Sequence, residues 1–445
     1  MSRSSARRLG AMVLALLLVW AGWRWARPQA ATAPERGIPE PAVPAVAAPA
    51  ASTAPHPQRH ITTDVPPPNP RAELAQRMKA DWCGFGAAEH DRQIQAVFDK
   101  AAASTGTVGG DEVAELRETV AGRLMEEAEA EVRRRWVAAL VQRGDVRSLA
   151  VADYLEGGKV GDASTAARAR LQARARTSGD PMVTALALLR PCAGDACINI
   201  EASQWSRLEP ANLQAWLAMV SGAAGAARQT HASYVLDRLA QEAQFSRNYQ
   251  RELLALLQSL PQTDTPGLQN EAEIQLLEGI AGAWPMSMMR PVLDLCRGGL
   301  MEPGTASQCE AVARLLWRQD DLLNRAFGLG IARSLVAARP ALRQQWEAQA
   351  LEYEAVSEWS SGAAIRAAER LVQQSTESRC GWQPEMRRMQ QDHLSLTEWD
   401  RLRAGMPEAR ADQAALSTRW RERERRSVLD PLPAHRPASA PATGG

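Results

Sequence analysis

The chain has 445 residues, ample for a large core or for two domains, and 45% of it is hydrophobic against 23% charged. Its formal net charge of +1 at pH 7 excludes the broad electrostatic attraction that a nucleic-acid binder relies on, so no nucleic-acid partner is expected. Lys79, Lys100 and Lys159 are the only lysines, and basic runs such as "RWRERERR" (residues 419–426) are broken by acids, the pattern of a solvated helix face.

Residues 1–27 open with Arg3, Arg7 and Arg8, followed by an apolar run from Leu9 to Trp23. As a helix that run rises about 22 Å, short of the roughly 30 Å hydrocarbon core of a bilayer. It fits a cleaved signal peptide or a short uncleaved anchor. The one small-x-small site, Ala31-Thr32-Ala33, is followed by Pro34, which blocks signal peptidase, and Trp20, Trp23 and Trp25 cluster as an interfacial belt does. The expectation is therefore a single-pass anchor in the inner membrane of a bacterium, with the basic end inside and the rest in the periplasm. Secretion to the periplasm after cleavage is the alternative.

Residues 28–70 are mostly Pro, Ala and Thr and predict an extended, disordered linker without a core. Residues 71–426 predict an all-α domain. Apolar positions recur at threes and fours, as in Ile274, Leu277, Ala281 and Trp284 or Leu253, Leu256 and Leu260. Gly and Pro punctuate the helices at 106–110, 157–158, 179–181, Pro210, 261–267, Pro285, 298–303, Pro340, Pro384 and Pro407. Short turns between helices predict stacked antiparallel hairpins, as an α-solenoid or an irregular bundle. Within residues 111–144 the apolar positions Leu116, Val120, Leu124, Ala128, Val132 and Trp136 recur every four, a stripe that drifts about 40° per step. Such a helix touches different partners at its two ends or breaks, and Gly122 is the expected break. "CINIE" (residues 197–201) is the sole strand candidate. The end of the chain, 427–445, predicts a disordered tail.

Cys83, Cys192, Cys197, Cys296, Cys309 and Cys380 form an even set within the helical region and, once exported, are expected to be oxidised. Cys192 and Cys197 flank a four-residue turn of small residues. Cys296 and Cys309 flank a helix hairpin around Gly298, Gly299 and Pro303, with Cys309, Val312 and Leu316 on one face. Elimination then pairs Cys83 with Cys380, each followed by glycine beside a tryptophan. Zinc is not expected, because no second close pair stands at zinc-finger spacing and His90, His231 and His393 are scattered.

One stretch, "WSRLEPANLQAWLAMVSGAAGAARQTHASYVLDRLA" (Trp205 to Ala240), resembles a tetratricopeptide repeat. "LEPANLQAW" matches the family's opening of helix A. Trp216 and Met219 fall at its core sites, and Ala232 and Leu236 at the small and large sites of helix B. Val220 stands where the family prefers glycine, and Ala223 replaces an aromatic residue. The resemblance implies a helical-repeat surface that binds a peptide or another protein.

No His-Glu-x-x-His, Gly-x-Ser-x-Gly, Ser-x-x-Lys or complete phosphate loop occurs; "GGKVG" at Gly157 is a turn. Glu89, His90 and Asp91 are consecutive on a helix, point about 100° apart and are expected at the surface. No catalytic, cofactor-binding or metal residue is assigned, and neither an enzyme nor a cofactor is expected. The expected role is a membrane-anchored envelope scaffold that binds a protein partner. The alternative is an envelope enzyme or small-ligand binder, acting for instance on peptidoglycan, with a site assembled from distant helices.

Overall fold

The structure is a computed structural model that describes residues 69–104, 115–158, 162–192, 197–221, 225–282, 284, 289–298 and 303–431. The expected membrane segment 1–27, nearly all of the linker, and the tail beyond residue 431 lie outside the described residues. The chain divides into two compact units, Met1–Arg77 and Met78–Gly445. The described part of the first is the start of helix α1 (Pro70–Ala80). Asn69 Oδ1 accepts from Arg71 N there at 3.0 Å, and Pro70 occupies the first helical position, where its missing N–H is no loss.

The second unit continues with a single π-helical turn, Trp82–Gly86, and then α2 (Ala87–Ser104), α3 (Val120–Arg143), α4 (Val146–Glu156), α5 (Asp162–Thr177) and α6 (Pro181–Leu189). Next come α7 (Ala202–Leu208), α8 (Leu213–Ser221), α9 (Gly225–Gln241), α10 (Gln250–Gln258), α11 (Leu268–Gly282) and α12 (Arg290–Gly298). The chain ends with α13 (Pro303–Trp317), α14 (Leu322–Ala338), α15 (Arg343–Glu377), α16 (Trp382–Ser395), α17 (Glu398–Arg403) and α18 (Arg410–Glu424). The fold is all-α. Residues 197–201 are irregular, and the β-pairing among the described residues is one isolated bridge, Asn212 to Phe245.

Local chemistry explains where the helices start. Asp145, Asp180, Asp321 and Thr397 are N-caps whose side chains accept from the orphan amides of α4, α6, α14 and α17. The long segment expected to bend at Gly122 breaks three residues earlier. Thr119 leaves the helical region and its Oγ1 accepts from Gly122 N at 3.0 Å, capping α3. Gly122 matters for a different reason: a methyl there would sit 2.3 Å from the carbonyl oxygen of Leu116, so only glycine lets the preceding turn approach. α3 packs against α2, α4 and α11, which accounts for a stripe that no single neighbour could cover.

Helices adjacent in sequence pack as pairs, α3 with α4, α5 with α6, α8 with α9, and α13 with α14; α15 also packs along α18. A large core joins α8, α9, α12, α13, α14 and α15 through Leu217, Leu236, Val292, Leu316, Leu335 and Trp346. A smaller one joins α15, α17 and α18 through Val356, Trp399 and Leu416. Residues 427–430, assigned by composition to the disordered tail, are part of the main core. Leu429 is 1% exposed, and Ser427 Oγ donates to Glu354 Oε1 at 2.9 Å. The polar, proline-rich sequence beyond them hid one apolar pair, Val428 and Leu429, which suffices to hold the chain down. Among the described residues no helix is long and apolar enough to cross a membrane.

Leu335 on α14 is fully buried, whereas Leu396 before α17 is 40% exposed. Leu335→Ala is expected to lower unfolding stability in urea by about 2–5 kcal/mol, and Leu396→Ala by less than about 1 kcal/mol. Equal losses would show that α14 is not at the centre of the core.

Candidate functional site

Every described cysteine is paired: Cys83 with Cys380, Cys192 with Cys197, and Cys296 with Cys309, at Cα separations of 5.2, 6.1 and 5.6 Å. These separations suit unstrained disulfides. The Cys296–Cys309 bond joins α12 to α13 inside the main core. Cys192 is held by Asn199, whose side chain accepts from its amide and donates to its carbonyl, each at 3.0 Å. Cys83 sits in the π turn that Asp81 caps by accepting from Gly84 N and Phe85 N. Cys380 precedes Gly381, where a methyl would lie 2.6 Å from Gln374 O; the glycine is what lets this turn close on α15.

Behind the Cys83–Cys380 bond lies a buried polar network centred on α11, whose residues Asn270, Glu271 and Glu273 are buried together with Ala272 and Ile274. Glu273 is 0% exposed. It pairs with Arg135 of α3 and Arg387 of α16, and it accepts from Thr263 N at 3.0 Å and Thr263 Oγ1 at 2.8 Å. Arg387 also donates to Asn270 Oδ1 at 2.8 Å and Gln262 Oε1 at 3.1 Å. Two guanidinium groups around one fully buried carboxylate satisfy it from both sides.

Glu271 has no such cation. It accepts from Trp82 Nε1 at 2.9 Å, Gln383 Nε2 at 3.2 Å and Gln275 Nε2 at 3.2 Å. Burial pushes its pKa up, against the pull of the Trp82 and Gln383 hydrogen bonds. The His90 ring lies 5.8 Å from that of Trp82, and burial pushes its pKa down. Of the residues expected at the surface, only Asp91 is fully there. Glu89 is held by Arg92 Nε at 2.7 Å and Gln93 Nε2 at 2.8 Å, and His90 is half-buried. The three do not converge. Glu271 and Glu273 escaped sequence analysis because an acid in the first turns of a helix reads as solvated, and nothing in their spacing marks the facing arginines.

Beside this network α3 and α11 open a cleft of about 400 Å³. Leu124, Ala128 and Leu268 supply apolar walls, and Lys79, Glu127, Glu131 and Arg134 line it with both charge signs. Gln269 also lines the cleft, and its Oε1 is a buried acceptor without a donor. Arg134 faces the cleft while its neighbour Arg135 turns inward to Glu273, so one helix serves both.

The repeat-like segment places Trp216, Val220, Ala232 and Leu236 in the main core, with Met219 packed against it; Ala223 lies outside the described residues. Trp216 Nε1 donates to Pro210 O at 2.7 Å. Glu209 accepts from Asn212 Nδ2 at 2.7 Å, Trp205 Nε1 at 3.2 Å and Tyr249 OH at 2.9 Å, tying α7, α8 and α10 together. These residues pack helices against one another rather than facing a ligand. Among the described residues, no group of three or more His, Cys, Asp or Glu is placed to hold a metal ion. The chain matches no protein-family model, no curated protein and no solved structure.

Because Glu271 titrates higher in the folded than in the unfolded chain, folding binds its proton more tightly. Its contribution is present below the unfolded carboxylate pKa and is lost as pH rises through the raised folded value. The difference in unfolding stability between the wild type and Glu271→Gln is therefore expected to move against the wild type as pH climbs from about 4.3. A pH-independent difference would mean that Glu271 titrates as an exposed acid.

Proposed function

We propose that the chain is a membrane-anchored envelope protein that holds a disulfide-closed helical domain in the periplasm and binds a protein partner in the cleft between α3 and α11. The cleft carries this reading. Its volume suits one or two apolar side chains, and its charged residues suit flanking groups of both signs. The mixed charge favours a polar peptide segment over a single charged metabolite. The oxidised cysteines support an exported setting, since such bonds persist outside the reducing cytosol. The basic, apolar, tryptophan-ended start of the chain supports an anchor, and Pro, Ala and Thr up to residue 68 support a spacer. The tetratricopeptide-like segment supports a scaffold of helical hairpins.

A photo-crosslinking residue at Ala130, in the cleft, is expected to give a reproducible adduct of one mass in whole cells. The same group at exposed Glu422 on α18 should not give it, and Leu268→Glu, which charges the apolar wall, should abolish it. Adducts that are absent at Ala130, or that survive Leu268→Glu unchanged, would contradict the proposal.

A further inference from the structure

The three disulfides sit in unlike surroundings. Cys296 and Cys309 are both fully buried in the core that joins α12 to α13. Cys83 is half-buried, but its partner Cys380 is buried, and their bond closes 297 positions beside the donors to Glu271. The Cys192–Cys197 bond closes only 5 positions, in the irregular stretch between α6 and α7. Opening it returns little freedom to the unfolded chain. Cys192 is 7% exposed, whereas Cys197 is half-buried and its neighbour Ile198 is 67% exposed. One cysteine of this pair is thus shielded, and the other is open to a reagent from solution.

Both flanks of the bond are held by contacts that do not involve it. Asn199 Oδ1 accepts from Cys192 N at 3.0 Å, and Asn199 Nδ2 donates to Cys192 O at 3.0 Å. The buried Gln172 of α5 reaches both sides. Its Nε2 donates to Ala187 O at 2.8 Å and Arg190 O at 3.2 Å, and its Oε1 accepts from Ile200 N at 2.8 Å. Arg176, one turn further along α5, donates from Nη1 to Ile198 O at 3.1 Å. Opening the S–S bond therefore leaves two thiols side by side, and a pair held together recloses readily. The reduced form also gains a contact. Asn199 Oδ1 lies 3.5 Å from Cys192 Sγ, and only the thiol has a proton to donate to it. The Arg176 guanidinium, bound one residue from Cys197, favours a thiolate there.

We propose that Cys192–Cys197 is a redox site that exchanges with an external dithiol, while the other two bonds are structural. A thiolate of the dithiol attacks Sγ of Cys197, the more exposed cysteine. An S–S bond forms between the dithiol and Cys197, the Cys192–Cys197 bond breaks, and Cys192 leaves as a thiolate that takes up the proton lost by the attacking thiol. The second thiolate of the dithiol then attacks its own sulfur in the mixed disulfide and releases Cys197. Two electrons and two protons pass to the protein pair, and the dithiol leaves as its disulfide. In the reverse direction Cys197 attacks an external disulfide, and Cys192 resolves the mixed disulfide by attacking Cys197 Sγ. The site is separate from the cleft between α3 and α11, and each stands or falls alone.

The test uses the full chain in a neutral detergent, equilibrated in mixtures of reduced and oxidised dithiothreitol, then alkylated and digested for mass spectrometry. Cys192 and Cys197 are expected to open at a reduced-to-oxidised ratio at least about tenfold below the ratio that opens either other bond. At that ratio heating should still give a cooperative unfolding transition, and transfer to oxidised dithiothreitol should restore the bond. In Cys192→Ser, oxidised glutathione is expected to label Cys197 at least about tenfold faster than it labels Cys192 in Cys197→Ser. If either variant melts without a cooperative transition, the order of opening in the wild type decides. Opening of Cys192–Cys197 together with or after another bond would overturn the proposal. So would loss of the cooperative transition when this bond alone is open, or labelling of Cys192 as fast as Cys197.

Discussion

One bond closes the chain on itself. Cys83 and Cys380 are 297 residues apart in sequence and 5.2 Å apart between Cα atoms. In the chain-entropy description, such a closure removes about 5–6 kcal/mol of freedom from the unfolded state, against about 3 for Cys296–Cys309 and about 2 for Cys192–Cys197. Its neighbours give it a second consequence. Trp82, next to Cys83, and Gln383, three residues past Cys380, both donate to Glu271. The bond thus brings two donors, one from each end of the helical domain, onto one buried carboxylate of α11. Two residues further on, α16 and α3 reach Glu273 through Arg387 and Arg135. The disulfide, the polar network and the cleft beside them form one mechanical unit.

Buried acids recur as the device that fixes helix against helix. Glu354 on α15 accepts from Ser417 and Arg421 of α18, and from Ser427 and Val428 of the following segment. Asp153 on α4 accepts from Arg170 and Arg174 of α5. A helix rich in alanine and leucine presents a smooth face that could slide by a turn at little loss of buried area. A buried carboxylate has few arrangements in which all its acceptors are satisfied, and a slip would strand it at a penalty of several kcal/mol. In this fold the acids set the register that the apolar surface leaves loose.

Much of this was legible in the residues. Glycine and proline mark helix ends through backbone sterics that act locally, so the all-α class and most boundaries follow from sequence. Spacing and elimination point to the same three cysteine pairs that the structure joins, because a closed loop, a helix hairpin and a remaining pair are each constrained by geometry. The break at Thr119 was misplaced by three residues, since glycine signals both flexibility and close approach and here it serves the second. Residues 427–430 were misread because two apolar side chains in a polar tail have no periodicity. Glu271, Glu273 and the cleft were invisible: their meaning comes from partners on other helices, up to 138 positions away for Arg135 and Glu273. Periodicity shows which face of a helix is apolar, but not which acid on it will meet an arginine.

The long-range closure is the claim on which the other relations depend. Proteolysis of the unreduced full chain after alkylation of free thiols, followed by mass spectrometry, tests it most directly. The account predicts a linked peptide pair containing Cys83 and Cys380, split only after reduction. Recovery of Cys83 alkylated, or bonded to any other cysteine, would contradict it.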